Sequence, residues 1–196
     1  ILKDRLYTVR KDSPLRRGSQ TVLFDILVAL TKLMAPVLSF TAEEIWRMLP
    51  ESVRTDSKAD SVHLAMFPEV DPRWADAKLT ERWEQLLEVR TAVQAALEVQ
   101  RREKVIGAPL EAKVLIDAHS AQYNLLKTYG QDLPAFFIVS DVVLQSAPDL
   151  PEKPGFVITV EKATGVKCER CWNYRGSVGT SSDHPTLCDR CVEAVR

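Results

Sequence analysis

Apolar positions along this chain form two long helical stripes, and the pattern changes character after Gly107. From about Leu15 to Leu33 the apolar positions are Val22, Leu23, Ile26, Leu27, Leu30, Leu33 and Met34. Steps of three and four residues put them on one face of an amphipathic helix. Pro36 stops or kinks that helix, because its ring removes a donor and crowds the preceding turn. Thr41-Ala42-Glu43-Glu44 reads as a capping box. It opens a short helix to about Leu49 that buries Ile45, Trp46 and Leu49. Ahead of these, residues 1–8 read as the last turns of a helix, ended by Ser13-Pro14. The chain begins with Ile1 rather than Met, so a piece of something longer is expected.

Residues 50–77 lose the periodicity and carry Pro50, Pro68 and Pro72. They predict an irregular loop, with a short extended piece at Ser61–Leu64 and a surface position for His63. A second long helix follows over about Leu79–Glu103, with the stripe Leu79, Trp83, Leu86, Leu87, Val93 and Leu97. Arg90 interrupts it, either reaching the surface along its aliphatic stem or contacting RNA. Gly107 supplies the stop. Beyond it, Leu110–Ile116 alternates as a half-buried strand, and Ser120–Tyr129 reads as a helix closed by Gly130. Phe136–Val139 and Val142–Leu144 are β-rich runs. A proline-rich linker at 147–154 leads to a strand over Phe156–Val160.

Composition narrows the class without naming a function. The chain has 196 residues, 45% hydrophobic and 27% charged, with a net charge of -1. That is ordinary for a globular protein with a sizeable core, and it provides no global basic field for nucleic acid. No apolar run is long enough for a membrane span, and no signal-peptide pattern opens the chain.

All four cysteines lie near the end, as Cys168-Glu169-Arg170-Cys171 and Cys188-Asp189-Arg190-Cys191. The C-x2-C-x16-C-x2-C spacing fits a zinc ribbon, each pair forming half of a tetrahedral thiolate site. Cys168, Cys171, Cys188 and Cys191 are therefore the expected ligands of one structural zinc ion. Four protein ligands leave no open position for catalysis. Two disulfides are the other reading, and they suit small secreted domains. His184, inside the spacer, could replace one cysteine. Reduced, metal-bound cysteines point to the cytoplasm.

There is no phosphate-binding glycine loop, no nucleophile elbow and no H-E-x-x-H motif. The chain reads as a binding module. Beside the metal lie Lys167, Arg170, Trp172, Asn173, Tyr174 and Arg175, and arginine with an exposed aromatic reads single-stranded bases. Trp172 could equally cover the zinc site. From Lys167 to Arg196 there are five basic and four acidic residues, so the ribbon is not a basic patch. Candidate phosphate contacts are Arg10, Lys11, Arg16 and Arg17, together with Arg101, Arg102 and Lys104, although solvated helix ends explain both clusters.

Several stretches resemble the C-terminal part of bacterial isoleucyl-tRNA synthetases, a family of class I aminoacyl-tRNA synthetases. They are Leu2–Tyr7, Leu33–Trp46, Ser61–Leu64, Arg102–Ala112 and Cys168–Trp172. The resemblance implies a mainly α chain: a helical-bundle anticodon-binding domain (1–105), a small α/β segment (106–147), a linker and strand (148–160), and a four-cysteine zinc ribbon (161–196). It implies binding of the isoleucine tRNA anticodon stem-loop, contact with the rest of the synthetase chain, and a monomer. The full-length enzyme would activate isoleucine with ATP and transfer it to tRNA. This chain lacks the two nucleotide-binding signatures of that enzyme and would catalyse nothing. Two other readings remain: the zinc finger of formamidopyrimidine-type DNA glycosylases, and a protein-interaction ribbon.

Overall fold

The computed structural model describes residues 2–57 and 59–196. In chain order the elements are α1 (Leu2–Tyr7), α2 (Pro14–Met34), α3 (Ser39–Met48), α4 (Glu51–Ser57), α5 (Ala77–Arg102), β1 (Ala112–Ala118), α6 (Ser120–Thr128), α7 (Leu133–Phe137), β2 (Asp141–Ser146), β3 (Phe156–Lys162), β4 (Val166–Lys167), β5 (Tyr174–Arg175) and α8 (Asp189–Val195). Short 3-10 turns lie at Val62–Leu64, Pro72–Trp74 and Pro109–Glu111. About half the chain is helical, with a small mixed sheet, so the mainly α expectation agrees in outline. The chain forms two compact units. The smaller is Lys11–Ala75, and the larger is Asp76–Arg196 together with the N-terminal segment up to Arg10.

In the smaller unit Pro14 starts α2, where a missing N–H costs nothing. The core is Ala35, Ala42, Trp46, Leu49, Ala59 and Val62. Trp46 is fully buried, and its indole N–H donates to the Ala59 carbonyl at 3.1 Å. The large indole sits in a core otherwise made mostly of small side chains, and the face of α2 that joins this core is not the expected stripe. Thr31 and Ala35 are buried, while Ile26, Leu27, Leu30 and Leu33 stay exposed. The Thr31 hydroxyl is satisfied by the Leu27 carbonyl at 2.7 Å.

The capping box is not used. α3 starts at Ser39, three residues early, and its N-cap position, Leu38, makes no side-chain cap. Glu43, next to the box residue Glu44, accepts from the Ser61 hydroxyl at 2.7 Å and from the Val62 amide at 3.0 Å. The carboxylate thus holds the 62–64 turn, which is 3-10 rather than extended. The expected loop over 50–77 also contains α4 and a second 3-10 turn. His63 is exposed, as expected.

In the larger unit the Asp76 carboxylate caps α5 by accepting from the Leu79 amide at 3.0 Å. α5 buries Leu86, Val89, Val93 and Leu97, while Leu79 and Leu87 of the predicted stripe remain exposed. Arg90 donates from Nε to the Phe136 carbonyl at 3.2 Å, and its guanidinium lies 5.7 Å from the Phe136 ring centre. It packs α5 onto α7. Lys104, at φ 60°, takes the left-handed position after α5, so Gly107 is not the stop. The Gly107 amide donates to the Glu111 carboxylate at 2.9 Å.

The three-stranded sheet has the order β2-β1-β3. β1 runs parallel to β2 and antiparallel to β3, with Leu115 opposite Val143 and Thr159. Alternation holds along β1, where Ala112, Val114, Ile116 and Ala118 are fully buried. The run at Phe136–Val139 is not a strand. Phe136 and Phe137 end α7, and Ile138 caps it in the left-handed region at φ 62°. A short, fully buried apolar run has no period to distinguish helix from strand. Here Pro134 at the start of α7 favours the helix.

Candidate metal centre and nucleic-acid interface

The ribbon is a β4–β5 hairpin followed by the short helix α8; Cys168 and Cys171 lie in the turn between β4 and β5, while Cys188 is the N-cap of α8 and Cys191 lies in its first turn. β4 and β5 pair antiparallel, Val166 with Arg175 and Lys167 with Tyr174. Gly165 permits this closure. At φ 98°, an added Cβ would stand 2.5 Å from the Arg175 backbone. The Cys168 amide donates to the Asn173 carbonyl and the Trp172 amide to the Cys168 carbonyl, both within 2.9 Å. These bonds fold the first knuckle so that both sulfurs face inward.

The four cysteines are free thiols, not disulfides, and their sulfurs all lie within 4.8 Å of one another. Cys171 Sγ and Cys188 Sγ are 3.7 Å apart. A zinc ion with four sulfurs at about 2.3 Å needs sulfur–sulfur edges of about 3.8 Å. The Cys171–Cys188 separation matches such an edge, and the four sulfurs stand close enough together to hold one metal ion. His184 is not part of the cluster. Val178 and Leu187 pack on the cysteines and provide the ribbon's small core.

Electrostatics prepare one sulfur in particular. Burial opposes ionisation of Cys168, but backbone amides of Cys171, Cys188 and Arg170 aimed at its sulfur bring the thiol down to about 6. Burial pushes the Cys191 thiol up. Bringing four thiols together costs free energy that metal binding offsets.

The ribbon is held within the larger unit at three points. Ser140, fully buried, donates to the Leu110 carbonyl and accepts from the Tyr174 amide at 2.7 Å. Arg170 donates to the Tyr7 and Thr8 carbonyls at the end of α1. Arg190 grips Asp4 with two bonds of 2.8 and 2.9 Å. Burial raises the Asp4 carboxyl, and the Arg190 bonds outweigh it to hold the group below its ordinary value. Reading the sequence missed Asp4, Ser140 and Arg190. The signal for Arg190 was present, since both knuckles read Cys-acid-Arg-Cys.

The expected RNA-contacting residues are not drawn into one cluster. Trp172 keeps 61% of its surface in water and sits in the left-handed region at φ 65°. Lys167 Nζ lies 5.5 Å from its ring centre. Arg175 is half-buried in β5. Arg101 and Arg102 both pair with Glu98, at 3.0 and 3.6 Å. Lys104 follows them in the turn after α5. Arg16 and Arg17 belong to the first turn of α2, in the smaller unit.

The family model described as "Anticodon-binding domain of tRNA ligase" matches residues 1–116. The chain belongs to this anticodon-binding family. A second model, "Zinc finger found in FPG and IleRS", matches residues 165–194 and makes the cysteine cluster a zinc-finger site for one ion. The glycosylase reading is not favoured, because the anticodon-binding match covers more than half the chain. Relatives along the whole chain include proteins named isoleucine–tRNA ligase. Those from Syntrophotalea carbinolica, Geobacter sulfurreducens and Moorella thermoacetica are 48%, 46% and 43% identical to it. The match covers 100% of this chain and 21–22% of each relative, so the chain spans about a fifth of their length. Among the described residues no helix is long and apolar enough to cross a membrane.

Proposed function

We propose that this chain is the tRNA-binding part of an isoleucine–tRNA ligase, and that it recognises the anticodon stem-loop of isoleucine tRNA. The observation that carries this is the joint occurrence of an anticodon-binding match over 1–116 and a zinc finger over 165–194 in a chain alike throughout to proteins of that name. The full-length enzyme activates isoleucine with ATP and transfers it to tRNA, acting as a cytoplasmic monomer. This chain supplies recognition and no catalytic group. Residues 1–105 make up the anticodon-binding domain in this reading. The α/β segment 106–147 and the strand region 148–160 carry the ribbon 161–196.

The exposed Trp172 ring, with Lys167 over it, supports a base-stacking role for the ribbon, and Arg175 lies in the same hairpin. Arg170 acts by fixing the first knuckle, and so the position of Trp172. Arg101, Arg102, Lys104, Arg16 and Arg17 contribute phosphate contacts. Cys168, Cys171, Cys188 and Cys191 hold the zinc.

The test is binding of isoleucine tRNA against the same tRNA with an altered anticodon. It is run at moderate salt, where non-specific phosphate contacts weaken. Preference for the cognate anticodon is expected. Equal affinity for both would overturn the anticodon reading.

A further inference from the structure

The two zinc knuckles carry the same sequence pattern, and the arginine of each leaves the ribbon for the same short helix. In Cys168-Glu169-Arg170-Cys171 and Cys188-Asp189-Arg190-Cys191 the arginine directly precedes the second cysteine. Arg170 Nη1 donates to the Thr8 carbonyl and Nη2 to the Tyr7 carbonyl at 3.3 Å. Its Nη1 also reaches Cys191 Sγ, the sulfur of the opposite knuckle, at 3.7 Å. Arg190 meets the Asp4 carboxylate as a fork, Nη2 to Oδ1 at 2.8 Å and Nη1 to Oδ2 at 2.9 Å. Thr8 joins the two grips. Its hydroxyl donates to Asp4 Oδ1 at 2.9 Å and to the Asp4 carbonyl at 2.7 Å, and the residue is buried.

Leu2–Tyr7 of α1 buries none of its residues. Its last carbonyls and its only acidic side chain are held by guanidinium groups standing between metal ligands.

We propose that Arg170 and Arg190 form a metal-dependent latch, in which closure of the two knuckles on zinc fixes α1 and docked α1 in turn tightens the metal site. This rests on the zinc reading above. Four thiolates on one divalent ion leave a net charge of about -2. Two guanidiniums beside the cluster balance it. Arg170 adds an N–H to a ligand sulfur, and such outer-shell donors orient ligands and raise metal affinity. Each arginine lies between two sulfurs bound to the same ion, so its backbone position is set by the closed knuckle. Without that closure, holding two long side chains in place costs rotamer entropy that two carbonyls and one carboxylate offset poorly. Coupling of this kind is reciprocal. The factor by which zinc favours docked α1 is the factor by which α1 favours zinc.

The test uses the whole 196-residue chain and begins with metal analysis. One zinc per chain is expected, and its absence would overturn the zinc reading and the latch together. Amide hydrogen exchange is then followed at residues 2–10 before and after chelation, with β1 amides as the folded control. Zinc affinity is measured by competition with a chromophoric chelator for the parent, Asp4→Asn and Arg190→Lys. Chelation should speed exchange in α1 about tenfold or more while β1 stays protected. Asp4 lies 186 residues from Arg190 in the chain and is not a metal ligand. Asp4→Asn should nonetheless weaken zinc binding about tenfold, within the usual range for an outer-shell change. Arg190→Lys keeps the charge but loses the fork, and should weaken it similarly. One zinc per chain, with Asp4→Asn affinity within twofold of the parent and α1 exchange indifferent to chelation, would overturn the latch and leave the zinc reading intact.

Discussion

Replacing Trp172 by Ala separates two roles that an aromatic beside a metal site could have. The residue keeps 61% of its surface in water, and the ribbon's small core is supplied by Val178 and Leu187. A side chain so exposed contributes about 1 kcal/mol at most to stability. A buried, covering tryptophan would cost about 3–5 kcal/mol on truncation. Backbone strain does not confuse the comparison. At φ 65° both Trp and Ala carry the same Cβ penalty, so the exchange leaves that cost in place. For binding, Lys167 lies over the ring at 5.5 Å, which leaves one face for one base. A single stacked base is worth about 1–3 kcal/mol, or roughly 5- to 150-fold in Kd. The assay is fluorescence anisotropy of a labelled isoleucine anticodon stem-loop at fixed salt, paired with urea unfolding of the zinc-bound protein. Binding should weaken by that factor while stability shifts by less than about 1 kcal/mol. Trp172→Ala binding within twofold of the parent, or losing about 3 kcal/mol or more of stability, would refute the reasoning.

Two further outcomes concern the smaller unit. Trp46→Ala should cost about 3–5 kcal/mol, because it empties a fully buried site and orphans the Ala59 carbonyl. A urea midpoint moved by less than about 1 kcal/mol would contradict that packing. Glu43→Gln should cost about 1 kcal/mol at neutral pH by weakening charge-assisted bonds to Ser61 and Val62. The Ser61 hydroxyl foremost, opposed by burial and aided by the Val62 amide and Arg47, holds this carboxyl below its ordinary 4.5. A depressed carboxyl stabilises the fold above the unfolded value and loses that contribution as pH falls through the folded one. The difference between parent and Glu43→Gln should therefore shrink under acid. A gap that stays constant or widens below pH 4.5 would count against the assignment.

The zinc site was legible because its information is local and its chemistry narrow. Two cysteines two residues apart fold into one knuckle whatever surrounds them. With no other cysteine in the chain, the four had only each other and a metal to serve. The long helices were legible too, α2 and α5 to within about two residues of the expected ends. Periodicity did not reveal which face of α2 would be covered. The covered face carries Val28, Thr31 and Ala35 and meets the core around Trp46, a contact between helices that periodicity within α2 does not encode.

Other readings failed where a distant partner displaced a local one. The Thr41–Glu44 capping box is not used, and the adjacent Glu43 bonds Ser61 and Val62, 18 and 19 residues away. Phe136 and Phe137 have high strand propensity, but in the core they close a helix against Trp83 and Arg90. The arginines show the same division. Residue type and position make Arg170 look like a base reader, and its partners turn it to the carbonyls of α1, 162 and 163 residues earlier. By itself, then, the sequence determined the metal chemistry, the long helices and the family, all written in short-range spacing and residue type. Tertiary structure alone decided which apolar face is buried, where the ribbon attaches and what each arginine holds, because those depend on contacts between residues far apart in the chain.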